Sequence, residues 1–179
     1  VCAVIERLAA RGLHLSWVQM VGDDREFLTE TLQRSFASDH IVLSCGGIGG
    51  TPDDHTRQAA ALALNRPVVR HLGAVDLIRQ RCEESGQPLD EFRLRMADFP
   101  AGASLIPNPY NRIAGFTVGQ HHFVPGFPVM AWPMIEWVLG RLAEHGVDEA
   151  VLALGYRPDA FIAAYPDAEC AGVRLAYAV

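Results

Sequence analysis

Between Cys45 and Thr56 the chain reads Cys-Gly-Gly-Ile-Gly-Gly-Thr-Pro-Asp-Asp-His-Thr, and these residue types at this spacing could do chemistry. Gly46, Gly47, Gly49 and Gly50 free the backbone to take positive φ, and without a Cβ they let a ligand come close to the main-chain amides. Inward-facing amides bind an anion, more so where a helix begins just beyond them and adds its unpaired N–H groups and its dipole. Asp53 and Asp54 lie in the same turn, placed either to cap that helix or to hold a divalent cation, Mg²⁺ foremost, against a bound phosphate. Thr51 and Thr56 offer hydroxyls to a cap, a phosphate oxygen or a metal, and the spacing leaves those roles undivided. No Lys-Ser/Thr follows the glycines and the G-x-G-x-x-G spacing is not met, so the loop indicates phosphate in general. A flexible turn with a helix cap would use the same residues.

Other candidates are more ambiguous. Asn108, Pro109, Asn111 and Arg112 suit a second binding loop, with Arg112 on a phosphate, or a solvated turn. Pro125-Gly126-Phe127-Pro128 would shape a pocket wall or start a helix. Cys45, at a strand end beside a helix N-terminus, could be an activated thiol, but its setting suits a small buried hydrophobe better. His121 and His122 are neighbours on an expected strand, so they point to opposite faces and are expected at the strand surface rather than on one metal. Trp17, Trp132 and Trp137 are expected in the core or an interface.

The elements that must position the loop are legible from periodicity. An apolar spacing at Val1, Val4, Ile5 and Leu8 predicts a helix closed at Gly12, followed by a strand over residues 13–21. Asp23 or Asp24 caps a helix marked by Phe27, Leu28, Leu32 and Phe36. The strand 41–44 runs straight into the glycines, and the alanine-rich segment 56–64 forms the helix beyond them. Helices are predicted over 74–84, ending at Gly86, and over 92–97. Strands follow at 104–106, 116–118 and 122–124, the last two hinged at Gly119-Gln120. Met134, Ile135, Val138, Leu139 and Leu142 mark a helix stopped by Gly146, then strand 149–154, helix 158–165 and strand 172–179. Such alternation predicts an α/β fold with a mainly parallel sheet covered on both faces, and in such sheets ligands sit beyond the carboxyl ends of the strands.

Composition narrows the function classes. With 21 acidic and 15 basic residues, a net charge of −6 and no basic cluster, nucleic acid is not an expected partner. Apolar runs fall far short of the roughly 20 residues a membrane-spanning helix needs. The four cysteines, Cys2, Cys45, Cys82 and Cys170, form no C-x-x-C pair, which argues against a zinc site or a dense disulfide framework and suits a reducing cytoplasm. Val1 opening directly on a helix reads as a start inside a domain.

The pattern Gly-Gly-hydrophobic-Gly followed by Asp-Asp-x-Thr, here Gly46 to Gly49, Asp53, Asp54 and Thr56, resembles the molybdopterin-binding, MoaB/Mog-like family. Its CinA branch, of the competence/damage-inducible proteins, is the more similar. Gly22-Asp23-Asp24, Ile106-Pro107-Asn108-Pro109 leading to Gly115-Phe116, and Val124-Pro125-Gly126-Phe127-Pro128 add to the resemblance, which covers about residues 1–139. It implies a three-layer α/β/α domain binding a pterin phosphate (molybdopterin) or an adenine nucleotide, commonly with a divalent cation. By the same resemblance Gly46, Gly47, Ile48, Gly49, Gly50, Thr51, Thr56, Asn108, Pro125 and Gly126 bind the ligand. Asp54 is the catalytic residue, and Asp53 and Asp54 hold the metal. Ile48, where Mog-like loops usually carry threonine, suits the branch associated with cleavage of the ADP-ribose pyrophosphate over adenylyl transfer to molybdopterin.

That family normally opens with a strand and a Gly-Asp-Glu-like acidic segment, both absent here, so the domain over 1–139 reads as truncated at its start. Residues from about 133 to Tyr177 resemble the early βα region of sugar-1-phosphate nucleotidyltransferases without its nucleotide loop or metal aspartate, giving a partial β-α-β segment at 140–179. A strand at 151–154 is expected to fill or extend the shortened sheet. Three functions stay open: phosphate-ligand binding with cation-assisted pyrophosphate hydrolysis, a non-catalytic recombined scaffold, and sugar nucleotidyl transfer. The expected partner is a small phosphate-bearing molecule, with no nucleic acid, no membrane, and a homo-oligomer left open.

Overall fold

The computed structural model of the chain describes residues 2–11, 13–22, 24–144, 149–154, 169–170 and 173–177. Helix α1 (Cys2–Ala9) leads into strand β1 (His14–Met20), burying Val4 and Leu8. Helix α2 (Arg25–Phe36) starts at Asp24, whose carboxylate accepts the Phe27 amide at 2.7 Å, while Gly12 and Asp23 lie outside the described residues. Strand β2 (Ile41–Cys45) is buried throughout and delivers the glycine loop, which ends in α3 (Thr56–Ala63).

The next stretch holds a feature periodicity did not reveal. Strand β3 (Val68–Arg70) pairs antiparallel with β4 (Asp98–Pro100) as a separate ribbon, and three-residue strands are too short to show alternation. Between them α4 (Leu72–Ser85) closes on left-handed Gly86, and α5 (Glu91–Leu94) passes into a single 3-10 turn, Arg95–Ala97. Strands β5 (Ser104–Ile106), β6 (Gly115–Val118) and β7 (His121–Val124) form a meander, its last turn eased by Gly119 at φ 58°.

Helix α6 (Pro128–Glu144) begins six residues before Met134, because a proline in the first turn needs no N–H partner and so starts the helix, one of the two roles open to the Pro125–Pro128 turn. Strands β8 (Glu149–Leu154), β9 (Glu169–Cys170) and β10 (Val173–Tyr177) complete the described chain, and the predicted helix over 158–165 lies outside it.

One eight-stranded sheet has the order β5-β6-β7-β2-β8-β1-β10-β9. The five central strands are parallel, and antiparallel pairs finish both edges, so the sheet is mixed with a parallel centre. Strand β8 lies between β2 and β1, in register from Ile41 beside Ala150 to Cys45 beside Leu154. The strand expected at 151–154 to fill the sheet is in its middle. On one face α1 and α6 bring Leu8, Met134, Ile135 and Leu139 against Ile41 and Leu43. On the other, α2, α3 and α4 cover a core with Ile78, Phe99, Phe116 and Phe123, in which the Phe99 ring tilts against Phe116 at a centroid distance of 5.0 Å and Phe116 stacks on Phe123 at 4.4 Å. The result is the α/β/α sandwich expected from the pattern of elements.

Candidate functional site

The glycine loop leaves β2 at the carboxyl end of the parallel strands, beside the point where Pro125 and Gly126 leave β7. The Gly46 amide donates to the Val124 carbonyl at 2.9 Å, which anchors the start of the loop to its neighbour strand. Gly46 and Gly47 then take φ of 111° and 65°, a region closed to most side chains. A Cβ on Gly47 would lie 2.1 Å from the Thr56 hydroxyl, and the Thr56 amide donates to the Gly47 carbonyl at 3.0 Å. Thr56 is therefore buried beneath the loop as its support and does not line the cavity.

The far half of the loop folds back on Asp54. One carboxylate oxygen, Oδ2, accepts the Thr51 amide at 2.8 Å and the Thr51 hydroxyl, and a Cβ on Gly49 would come within 2.5 Å of it. Neither aspartate caps α3, whose N-cap is His55 without a side-chain bond. Thr51 and its own amide hold the exposed Asp53 carboxyl below the usual carboxylate range, so it is an anion at neutral pH. Arg57, buried in the first turn of α3, donates to the Gly49 carbonyl and straps the loop from behind.

A cavity of about 320 Å³ opens over this loop. Gly46 to Gly50, Thr51, Asp53 and Asp54 form one side, and Met96, Ile113, Ala114, Phe127 and Met130 form an apolar side facing them, with Asn111, Pro125 and Gly126 completing the wall. The predicted residues Gly46, Gly47, Ile48, Gly49, Gly50, Thr51, Asp53, Asp54, Pro125 and Gly126 thus meet at one place. Among the described residues no three His, Cys, Asp or Glu side chains gather as a metal-binding group. A cation here would rest on Asp53 and Asp54 together with ligand phosphate oxygens and water, a donor set that Mg²⁺ accepts.

Several candidates fall elsewhere. Asn108 is buried behind the wall with its amide spent on Asn111 and the Ile113 carbonyl and its oxygen on the Tyr110 amide, so Asn111 faces the cavity in its place. Arg112 pairs with Glu84 at 2.7 Å and not with the loop. Burial pushes the Cys45 thiol up to about 12, which leaves it a small hydrophobe. His121 is buried rather than at the surface, stacked on Phe36 at 3.9 Å with Nε2 2.9 Å from the Ser35 hydroxyl, and His122 meets the Thr117 hydroxyl across the β6–β7 pair. Trp17, Trp132 and Trp137 lie outside the cavity wall. Met96, Ile113, Ala114 and Met130 carried no sequence signal, since apolar residues in separate segments look like core. Arg57 carried one: a cation in the first turn of a helix opposes the dipole and calls for a local reason.

Among the described residues no helix is long and apolar enough to cross a membrane. A "CinA-like protein" of Anaeromyxobacter sp. (strain K) is 34% identical over 141 residues, covering 76% of this chain and 35% of that one. Another, of Anaeromyxobacter dehalogenans (strain 2CP-C), is 32% identical over 192 residues, covering 97% of this chain and 46% of its own. The chain thus spans less than half the length of these relatives. The crystal structure of the protein CinA with unknown function from Thermoplasma acidophilum shares the fold, with a TM-score of 0.58 at 21% identity over 75% of this chain and 98% of that one. The family described as "Probable molybdopterin binding domain" matches residues 3–145, which include the glycine loop, both aspartates and the whole cavity wall. On that match, with CinA-like proteins as its similar relatives, the chain belongs to the molybdopterin-binding domain family.

Proposed function

We propose that the loop cavity binds a phosphate-bearing pterin or an adenine nucleotide, with the amides of Gly47 to Gly50 on the phosphate and the planar ring against Phe127, Met130 and Ile113. The observation that carries this reading is the convergence, in one cavity, of the glycine loop, two carboxylates and an apolar wall. Asp53 and Asp54 would hold a divalent cation that, when bound, neutralises the phosphate charge and polarises its oxygens. The chain's own contribution is to position the phosphate on the loop and to keep the Asp54 carboxylate fixed through Thr51. Ile48 leaves the loop without a hydroxyl at that position, which favours pyrophosphate hydrolysis of an ADP-ribose-like ligand over adenylyl transfer. Calorimetry with ADP-ribose, ATP and a pterin phosphate, each with and without Mg²⁺, tests the reading. A folded sample giving no heat with any of them would overturn it. If hydrolysis is found, Asp54→Ala lowers it by about 10²-fold or more.

A second reading, binding without turnover, is favoured by the engagement of Asp54 Oδ2 with Thr51, which leaves one oxygen for other work. It is distinguished by ligand heat in the absence of any phosphate release.

A further inference from the structure

A second cavity, of about 450 Å³, adjoins the first and shares Gly50, Thr51 and Asp54 with it. Its chemistry differs. Arg25, Arg57 and Arg95 all border it, against the carboxylates of Asp54 and Asp98. Neither carboxylate hydrogen-bonds to Arg57: Asp54 Oδ2 accepts from Thr51 and Asp98 from Arg70 at 2.8 and 3.1 Å, so both act on Arg57 only through space. Arg57 is only 3% exposed, and although Nη2 is bonded to the Gly49 carbonyl, its Nε and Nη1 are buried with no acceptor among the described residues. A buried guanidinium with two unpaired donors is a costly arrangement that an anionic acceptor relieves. Its place in the first turn of α3 adds to the demand, since the helix dipole is positive there. Arg25, the first residue of α2, and Arg95, in the 3-10 turn, are exposed and make no side-chain bond among the described residues. Planar guanidinium forks match the geometry of a tetrahedral oxyanion.

We infer that this cavity is a second anion site, in which Arg57, with Arg25 and Arg95 at the mouth, takes a single oxyanion of the phosphate class. The site adjoins the ring-binding cavity, but its three arginines lie outside that cavity's wall, and it does not rest on the reading of that cavity. Its occupant is either free phosphate or the phosphoryl group of a phosphate monoester.

The test is thermal unfolding and calorimetry with sodium phosphate and, in a parallel arm, ribose 5-phosphate, at ionic strength held constant with chloride. Phosphate gives saturable heat and raises Tm with the logarithmic dependence on its concentration that binding to the folded state requires, and the exposed double variant Arg25→Ala/Arg95→Ala raises the phosphate Kd about tenfold. Arg57→Met removes the stabilisation, and because that variant could fail to fold, the double variant decides by itself. Ribose 5-phosphate binding with the same arginine dependence supports an ester as occupant, and binding of inorganic phosphate alone supports the free ion. Absence of heat and of any rise in Tm overturns the inference, as does an unchanged Kd in the double variant. ATP titrated into the double variant distinguishes the two cavities: nucleotide affinity persists while phosphate affinity falls about tenfold. An equal fall in both affinities from a folded variant would make the cavities one site and overturn the assignment.

Discussion

Gly47 holds its φ of 65° with the Thr56 hydroxyl filling the space where a side chain would start. Two penalties coincide there, a left-handed backbone and a Cβ at 2.1 Å from Oγ1. Gly47→Ala is therefore expected to destabilise the fold by about 1–3 kcal/mol and to abolish ligand heat, because the loop must shift to admit the methyl group. Gly22, with nothing within 4 Å of the corresponding position, is the control: Gly22→Ala leaves stability within about 1 kcal/mol of the parent in the same thermal-unfolding measurement. The glycines were legible in the sequence because their effect is local. The part played by Thr56 was not, since a hydroxyl that supports a loop from beneath has the same sequence signature as one that binds a phosphate.

Strand β7 shows how an element acquires a property that its own residues do not announce. Alternation places His121 and His122 on opposite faces, as expected. What covers each face comes from elsewhere: Phe36 and Ser35 of α2 over His121, and Thr117 of β6 against His122. Burial lowers both imidazoles from 6.5 to about 4, the charge of His122 adding to the effect at His121. In the unfolded chain both protonate near pH 6.5, so their contribution to stability is complete above that pH and is lost as pH falls from 6.5 towards 4. Across that window each histidine adds a slope of up to about 1.4 kcal/mol per pH unit. Urea unfolding between pH 7 and pH 4 should show this decline, and His121→Phe should flatten it by about half. A parent profile flat over that range would contradict the burial of the pair.

At the scale of the whole molecule the sheet depends on β8, which hydrogen-bonds to β2 on one side and β1 on the other. A chain ending at residue 146 loses β8, β9 and β10, leaving β1 with no neighbouring strand and β2 with one open edge in the middle of the fold. That variant is expected to lose cooperative thermal unfolding and to aggregate, because unpaired strand edges in a sheet interior cannot be satisfied by side chains. An unchanged Tm would refute the central position of β8. The sequence alone determined the local features: the strand-loop-helix around the glycines, an aspartate cap at Asp23 or Asp24 and the α/β alternation. Each follows from backbone freedom, capping or periodicity within a few residues. Only the tertiary structure decided that Met96, Ile113, Ala114 and Met130 face the loop, that Asn111 replaces Asn108 at the wall, and that Arg57 lies buried with unpaired donors. Those outcomes depend on contacts between segments far apart in the chain. Such contacts are set by how the layers pack, and no local pattern encodes them.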